Sequence, residues 1–181
     1  LSIRPYASRI YANDLSVKAI QLLSEKPWFK DMEFRMIGDG PLFEETLAPL
    51  REFQNVYIEQ RFLKQSEIAE LHRQYGIFLC PSRMDSQGVS RDEAMSSGLV
   101  PITNAVAAIR EFVDEKCGSL ANAEDAEGLA SGIAMLHDNP EMFQAFSRAA
   151  SERVGIQTSS RTIIEKELHT FIEIDPSVTL I

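Results

Sequence analysis

The stretch Gly76-Ile77-Phe78-Leu79-Cys80-Pro81-Ser82-Arg83-Met84-Asp85-Ser86-Gln87-Gly88-Val89-Ser90-Arg91-Asp92-Glu93-Ala94-Met95-Ser96-Ser97-Gly98 decides the fold. Gly76 to Cys80 is an unbroken apolar run. A strand covered on one face alternates polar and apolar residues; a continuous run is the pattern of a strand buried on both faces, as in parallel sheets. Val89 to Ser97 reads as a helix stopped by Gly98, the residue most at ease in the left-handed conformation past a helix end. Strand, loop and helix follow one another without interruption.

Working outward, the same unit repeats. Ile3 and Arg4 read as the tail of a first strand. Asp14 to Glu25 places Leu15, Ala19, Leu22 and Leu23 on one helical face. Glu33 to Ile37 reads as a strand closed by Gly38-Asp39-Gly40-Pro41, and Leu42 to Arg51 as a helix with Pro41 near its first turn. Val56 to Ile58 is the next strand and Ser66 to Tyr75 the next helix. Beyond Gly98 follow a strand at Val100 to Thr103, a short helix at Ile109 to Val113, a strand at Cys117 to Ala121, and a helix at Asp125 to His137. Asp138-Asn139-Pro140 is a break before another helix, and Thr158 to Ile172 is the last. Strand and helix alternate roughly every 20 residues through Thr103, which predicts right-handed βαβ crossovers in an α/β fold with a single Rossmann-like doubly wound parallel sheet. One domain spans residues 1–174, with 175–181 as a tail. Ligands of such sheets lie beyond the carboxyl ends of the strands, here at Arg4, Gly38, Glu59, Pro81 and Thr103.

The chain has 181 residues, 44% hydrophobic and 25% charged, with a formal net charge of -9. That is enough for one domain with a real core. An acidic surface repels phosphate backbones and argues against general nucleic-acid binding, so phosphate chemistry must rest on a local basic cluster or on backbone amides. The only cysteines, Cys80 and Cys117, lack metal-ligand spacing, read as small core residues and fit a reducing, cytoplasmic setting. No apolar stretch is long enough to span a bilayer, and no signal peptide is visible. Membrane contact is left open: the acidic chain gives no support for contact of its own. His72, His137 and His169 fall on predicted helices away from the central loop and take no role.

Gly88 lets backbone approach a ligand closely. The amides of Gly88, Val89 and Ser90 at a helix start can hydrogen-bond a phosphate, helped by the helix dipole. Glu93, about one turn further in, can accept two hydrogen bonds from adjacent hydroxyls such as those of a ribose. Asp85, on the loop, can hold sugar hydroxyls. The plainer alternative is a strand-loop-helix corner with Asp85 and Glu93 as cap and surface charges, because a helix N-terminus attracts carboxylates anyway.

The segment resembles the signature of family 4 glycosyltransferases and their GT-B relatives: Pro-Ser, a short loop, Glu-x-Phe-Gly, and a second Glu followed by Ala-Met. Asp85 and Glu93 match the two acidic positions, and Glu93 to Gly98 fits the helix. Ile37 to Pro41 looks like the family's glycine turn, and Asn55-Val56, Gly118 and the Asp125 to His137 helix fall in register. The resemblance implies the C-terminal, donor-binding half of a GT-B fold, binding a UDP-, GDP- or ADP-sugar without metal or other cofactor. It implies Arg4 and Arg9 as a pair of cations on the diphosphate, Glu93 on the ribose and Asp85 on the sugar, together the catalytic set. Gly38, Gly40, Gly88, Val89 and Ser90 would line the substrate. The loop after Val56 to Ile58, near Arg61 and Phe62, would form a wall for the base. The acceptor site would come from an N-terminal domain outside this chain.

The sequence departs from that pattern. Asp85 stands for Glu and is shorter by one methylene, Arg9 stands for Lys, Ser86 for Gly, and Ala107-Ala108 for Gly-Gly ahead of Glu111. Arg9 keeps the charge; the departures at Asp85, Ser86 and Ala107-Ala108 motivate a second reading, a nucleotide-binding or scaffolding module without turnover. A GT-B epimerase or phosphorylase would share the same crevice. Both arginines also read as plain surface charges, and Phe62 as core.

Overall fold

The structure, a computed structural model, describes residues 1–174; the expected tail at 175–181 lies outside the described residues. Six parallel strands run through it: β1 (Ser2–Ile3), β2 (Phe34–Gly38), β3 (Val56–Gln60), β4 (Ile77–Leu79), β5 (Val100–Asn104) and β6 (Ser119–Ala121). β2 pairs with β1 and β3, and β5 with β4 and β6. Leu1 knits the halves together. Its amino group donates to the Ile77 carbonyl at 3.0 Å, and its carbonyl accepts from the Leu79 amide at 2.9 Å. The strand order is therefore β3-β2-β1-β4-β5-β6, doubly wound, with the reversal between β1 and β4. The single sheet expected from the sequence is the one found, and its reversal point fixes where a ligand crevice opens.

Neighbouring residues of one strand serve opposite faces, as strand geometry requires. Met36 packs with Leu15, Ala19 and Ile20 of α1 (Asn13–Leu23) and Leu129 and Ile133 of α6 (Ala126–Asp138). Ile37, next in the chain, packs with Leu71 of α3 (Gln65–Gln74) and Ala94 of α4 (Val89–Ser96). Phe78 and Leu79 divide in the same way. Each fully buried Leu or Ile contributes about 1.5–3 kcal/mol through lost water contact, so both faces are fixed and the register with them.

The remaining helices are α2 (Phe43–Leu47), α5 (Ile109–Phe112), α7 (Pro140–Thr158) and α8 (Ser160–Ile174). Three departures from the sequence reading have physical reasons. The helix expected over 42–51 stops at Leu47 and tightens into a 3-10 turn at Ala48–Leu50, because Pro49 has no amide to donate. Arg9–Tyr11 forms a 3-10 turn capped by Ser8, whose hydroxyl accepts from the Ile10 amide at 3.2 Å. The last helix begins at Ser160 because α7 runs on to Thr158. Among the described residues no helix is long and apolar enough to cross a membrane.

Candidate functional site

β1 ends on Arg4, at the reversal of strand order. Its backbone amide donates to Ile37 at 2.9 Å, and its side chain is buried, with Nη2 donating to the Pro81 carbonyl at 3.3 Å. The guanidinium lies 5.4 Å from the Tyr11 ring centroid. Its Nε is buried without a partner.

β4 leads through Pro81 and Ser82 into the loop that ends at Gly88. Gly88 caps α4 in the left-handed conformation, φ 75° and ψ 53°, and no side chain caps the helix. The first bonds of α4 come from the Arg91 and Asp92 amides, both donating to the Gly88 carbonyl at 2.9 and 3.0 Å. The amides of Gly88, Val89 and Ser90 have no partner among the described residues. A helix start with free donors and the positive end of the dipole is an anion site in waiting.

Two carboxylates flank these amides. Asp85 is half-buried and makes no hydrogen bond or ion pair among the described residues; burial raises the Asp92 carboxyl and the Cys80 thiol, and the Asp85 charge adds a smaller push in the same direction. Glu93 leaves α4 toward α3, where Oε1 accepts from Gln65 Nε2 at 3.0 Å. Gln65 lies three residues beyond Phe62, so Glu93 faces the loop that follows β3. Phe62 itself is 82% exposed, which discards the reading of it as core, and its backbone has no partner among the described residues.

Other expected residues are placed differently. Arg9 does not converge with Arg4: its side chain is 80% exposed and turns to Glu45 at 3.8 Å, bordering a cavity of about 260 Å³ that Arg4 does not line. Ordinary rotamer freedom of a long surface side chain and the pull of Glu45 are the reason. The Arg61 guanidinium is held by Glu59 at 2.8 Å and Glu67 at 2.6 Å, and its amide donates to the Gly38 carbonyl at 3.0 Å. Gly38 is buried, and a Cβ there would stand 1.9 Å from the Arg4 carbonyl oxygen; at Gly40 it would stand 2.4 Å from the Tyr6 carbonyl carbon. Both glycines let the exits of β1 and β2 lie together, a packing task that needs no ligand.

Three residues inside the quoted stretch were missed by sequence reasoning. Arg83 donates to both oxygens of Asp14 at 2.8 and 2.9 Å, to both oxygens of Glu124 at 2.7 and 2.8 Å, and to the Arg9 carbonyl at 2.6 Å. The pairing holds the Asp14 and Glu124 carboxyls below the usual carboxylate range. Arg91 and Asp92 are buried under α4 as an ion pair, with Nη2 at 2.8 Å and Nε at 3.1 Å from Oδ1. Burial pushes the Asp92 carboxyl up despite the neighbouring guanidinium. Charged residues on a short helix read as a solvated face; the one available signal was that Arg91 and Ala94, three apart, share the face that turns inward. Both cysteines are buried and free, as expected of small core residues, and burial raises both thiols.

The model of the family described as Glycosyl transferases group 1 matches residues 5–139. Over 140 residues the chain is 30% identical to the N-acetyl-alpha-D-glucosaminyl L-malate synthase of Bacillus anthracis, covering 75% of this chain and 36% of that protein. The structure superposes on TarM of S. aureus, solved with UDP and alpha-GlcNAc-glycerol, with a TM-score of 0.79 at 19% identity, covering 94% of this chain and 35% of that one. It matches the C-terminal domain of the group 1 family protein LpcC from Francisella tularensis with a TM-score of 0.75 at 19% identity, over 88% of this chain and 85% of that domain. The two structural likenesses establish the fold, and the chain spans about a third of the length of the curated relative.

Proposed function

This chain belongs to the glycosyl transferases group 1 family, and from that membership we propose that it is the donor-binding half of a retaining, cytoplasmic glycosyltransferase. Its donor would be a nucleoside diphosphate-hexose; the acceptor side would come from an N-terminal domain. The observation that carries this reading is the uncapped start of α4, with three free amides, at the end of a loop whose first residue, Pro81, accepts from the buried Arg4. A helix start alone attracts any anion; a guanidinium at the head of the same loop suits two linked phosphates.

In this reading the amides of Gly88 to Ser90 and Arg4 hold the diphosphate. Glu93 exchanges Gln65 for two ribose hydroxyls, and the base lies along Phe62. Asp85 holds sugar hydroxyls. As the bond from the anomeric carbon to phosphate oxygen breaks, its electron pair stays on the diphosphate. Charge grows where the amides and Arg4 already point, so they bind the transition state more tightly than the donor. No metal has a part in this proposal. Arg9 can join by leaving Glu45, an exposed pair whose loss changes little.

The scaffold alternative rests on Asp85, Ser86 and Ala107-Ala108, and the last of these bears on the backbone. Ala107 takes φ 46°, the backbone form a glycine adopts freely, so the chain follows that path despite the Cβ. This supports an intact donor site. Calorimetry of the chain with UDP, GDP and ADP tests the reading: one of them is expected to bind, and Glu93→Ala to weaken it roughly 10–100-fold. No heat with any of the three would sink the proposal in favour of the scaffold.

A further inference from the structure

We infer that Arg91 is a positioning residue that sets the anion-binding loop, by locking Gly88 and coupling it to the segment beyond β5. The inference rests on the donor-binding reading above.

Arg91 is 2% exposed and is among the largest fully buried side chains of the described residues. Its guanidinium touches three things. Nη2 donates to the carbonyl of Gln87, the last residue before the cap. The same nitrogen and Nε donate to Asp92 Oδ1. The plane lies 4.9 Å from the ring centroid of Phe112, at the end of α5. A Cβ at Gly88 would stand 2.7 Å from Nη1 and 2.8 Å from Cζ. The guanidinium is therefore a floor under Gly88, and the left-handed cap conformation is held from below.

The electrostatics agree with that placement. Cys80, at the exit of β4, feels Arg4 and Arg91 as cations and Asp85 as an anion. Asp92 answers Arg91 with one oxygen and leaves Oδ2 buried without a partner. A buried charge pair is poor value as a stabiliser, because desolvation offsets its attraction; its best attested use is to specify one arrangement. Here that arrangement is the turn that aims the Gly88, Val89 and Ser90 amides. Phe112 extends it to α5, the helix that follows β5. One guanidinium thus ties the turn at the start of α4 to that helix.

The test is backbone order measured by NMR relaxation on the full chain without nucleotide, beside UDP calorimetry. Wild type should show order parameters near 0.85 at residues 86–90, and Arg91→Met values below about 0.6 there with the rest of the sheet unchanged. UDP affinity should fall at least about tenfold. A merely structural role would instead lower thermal stability and leave order at 86–90 in the folded variant as in wild type, which overturns the inference. Arg91→Lys keeps the charge and loses the fork, so it should not restore order; an ordered loop in the lysine variant overturns it equally, and decides the matter should the methionine variant fail to fold. Phe112→Leu is expected to loosen 86–90 partly, and unchanged order there would remove the link to α5. Should wild type bind no nucleotide, the donor-site reading fails, while the order parameters still decide the role of Arg91.

Discussion

The exits of β2 and β4 both turn on glycine at the carboxyl edge of one sheet, and they are built to opposite ends. At β2 the backbone is tied to neighbouring backbone: Tyr6 donates to the Asp39 carbonyl at 2.8 Å, Leu42 to Tyr6 at 3.1 Å, Arg61 to Gly38 at 3.0 Å. Gly38 is there because another backbone occupies the space. At β4 the first half of the loop is tied by Arg83, but from Asp85 to Ser90 a carboxylate and three amides are left without partners. The difference separates an exit packed as a joint from the exit proposed above as the donor site.

The sharpest way to break this comparison is Gly38→Ala. A Cβ 1.9 Å from the Arg4 carbonyl meets backbone that cannot yield, and the variant should lose about 3 kcal/mol or more in urea unfolding. Loss of less than about 1 kcal/mol would show the β2 exit to be adaptable.

Arg83→Met comes next. It strands Asp14 and Glu124 beside each other, and since all three side chains are partly exposed the expected cost is about 1–2 kcal/mol. The pH dependence identifies the cause. Carboxyls held below their ordinary value stabilise the fold above about pH 4, and that contribution disappears as pH falls through the depressed values. Wild type should therefore lose stability on acidification more steeply than Arg83→Met. Asp92 works in the opposite sense: its raised carboxyl takes up a proton more readily in the folded chain, so its own contribution improves as pH falls. Asp92→Asn should remove that opposing slope.

Gly88→Ala should cost about 1–2 kcal/mol of stability, because φ 75° is unfavourable for alanine and the buried Arg91 guanidinium 2.7 Å from the new Cβ would have to shift. Nucleotide affinity should suffer more than stability does, the reverse of Gly38→Ala, and calorimetry beside thermal unfolding separates the two. The smallest effect is expected at Ala107→Gly. Relief of the left-handed strain at φ 46° is offset by greater freedom of the unfolded chain, leaving a gain of up to about 0.5 kcal/mol in thermal unfolding.

The sheet was legible because its evidence is local. Phe78 to Cys80 is an apolar run and Phe34 to Ile37 is apolar but for Arg35, so each admits one burial, and the helices between them show their period directly. The loop at Asp85 to Ser90 was legible for the same reason: a helix start after a buried strand is a short-range pattern. What stayed hidden depends on partners far apart in the chain. Arg83 meets Asp14 and Glu124, at separations of 69 and 41 residues, and no periodicity announces such a meeting. Arg9 went to Glu45 for the same reason. Pairing with Asp92 let Arg91 go inside, against the general habit of arginine.

The fork of Arg83 has a consequence for how such chains diverge. It joins the stretch after β1, the loop after β4 and Glu124 beyond β6, the last held at φ 57°. Those three pieces cannot drift independently, because losing the guanidinium leaves two carboxylates facing each other, and losing one carboxylate leaves half a fork dry. Lineages that alter position 83 should also have altered 14 or 124, and a family-wide record of paired changes at these positions would carry the imprint of this one side chain.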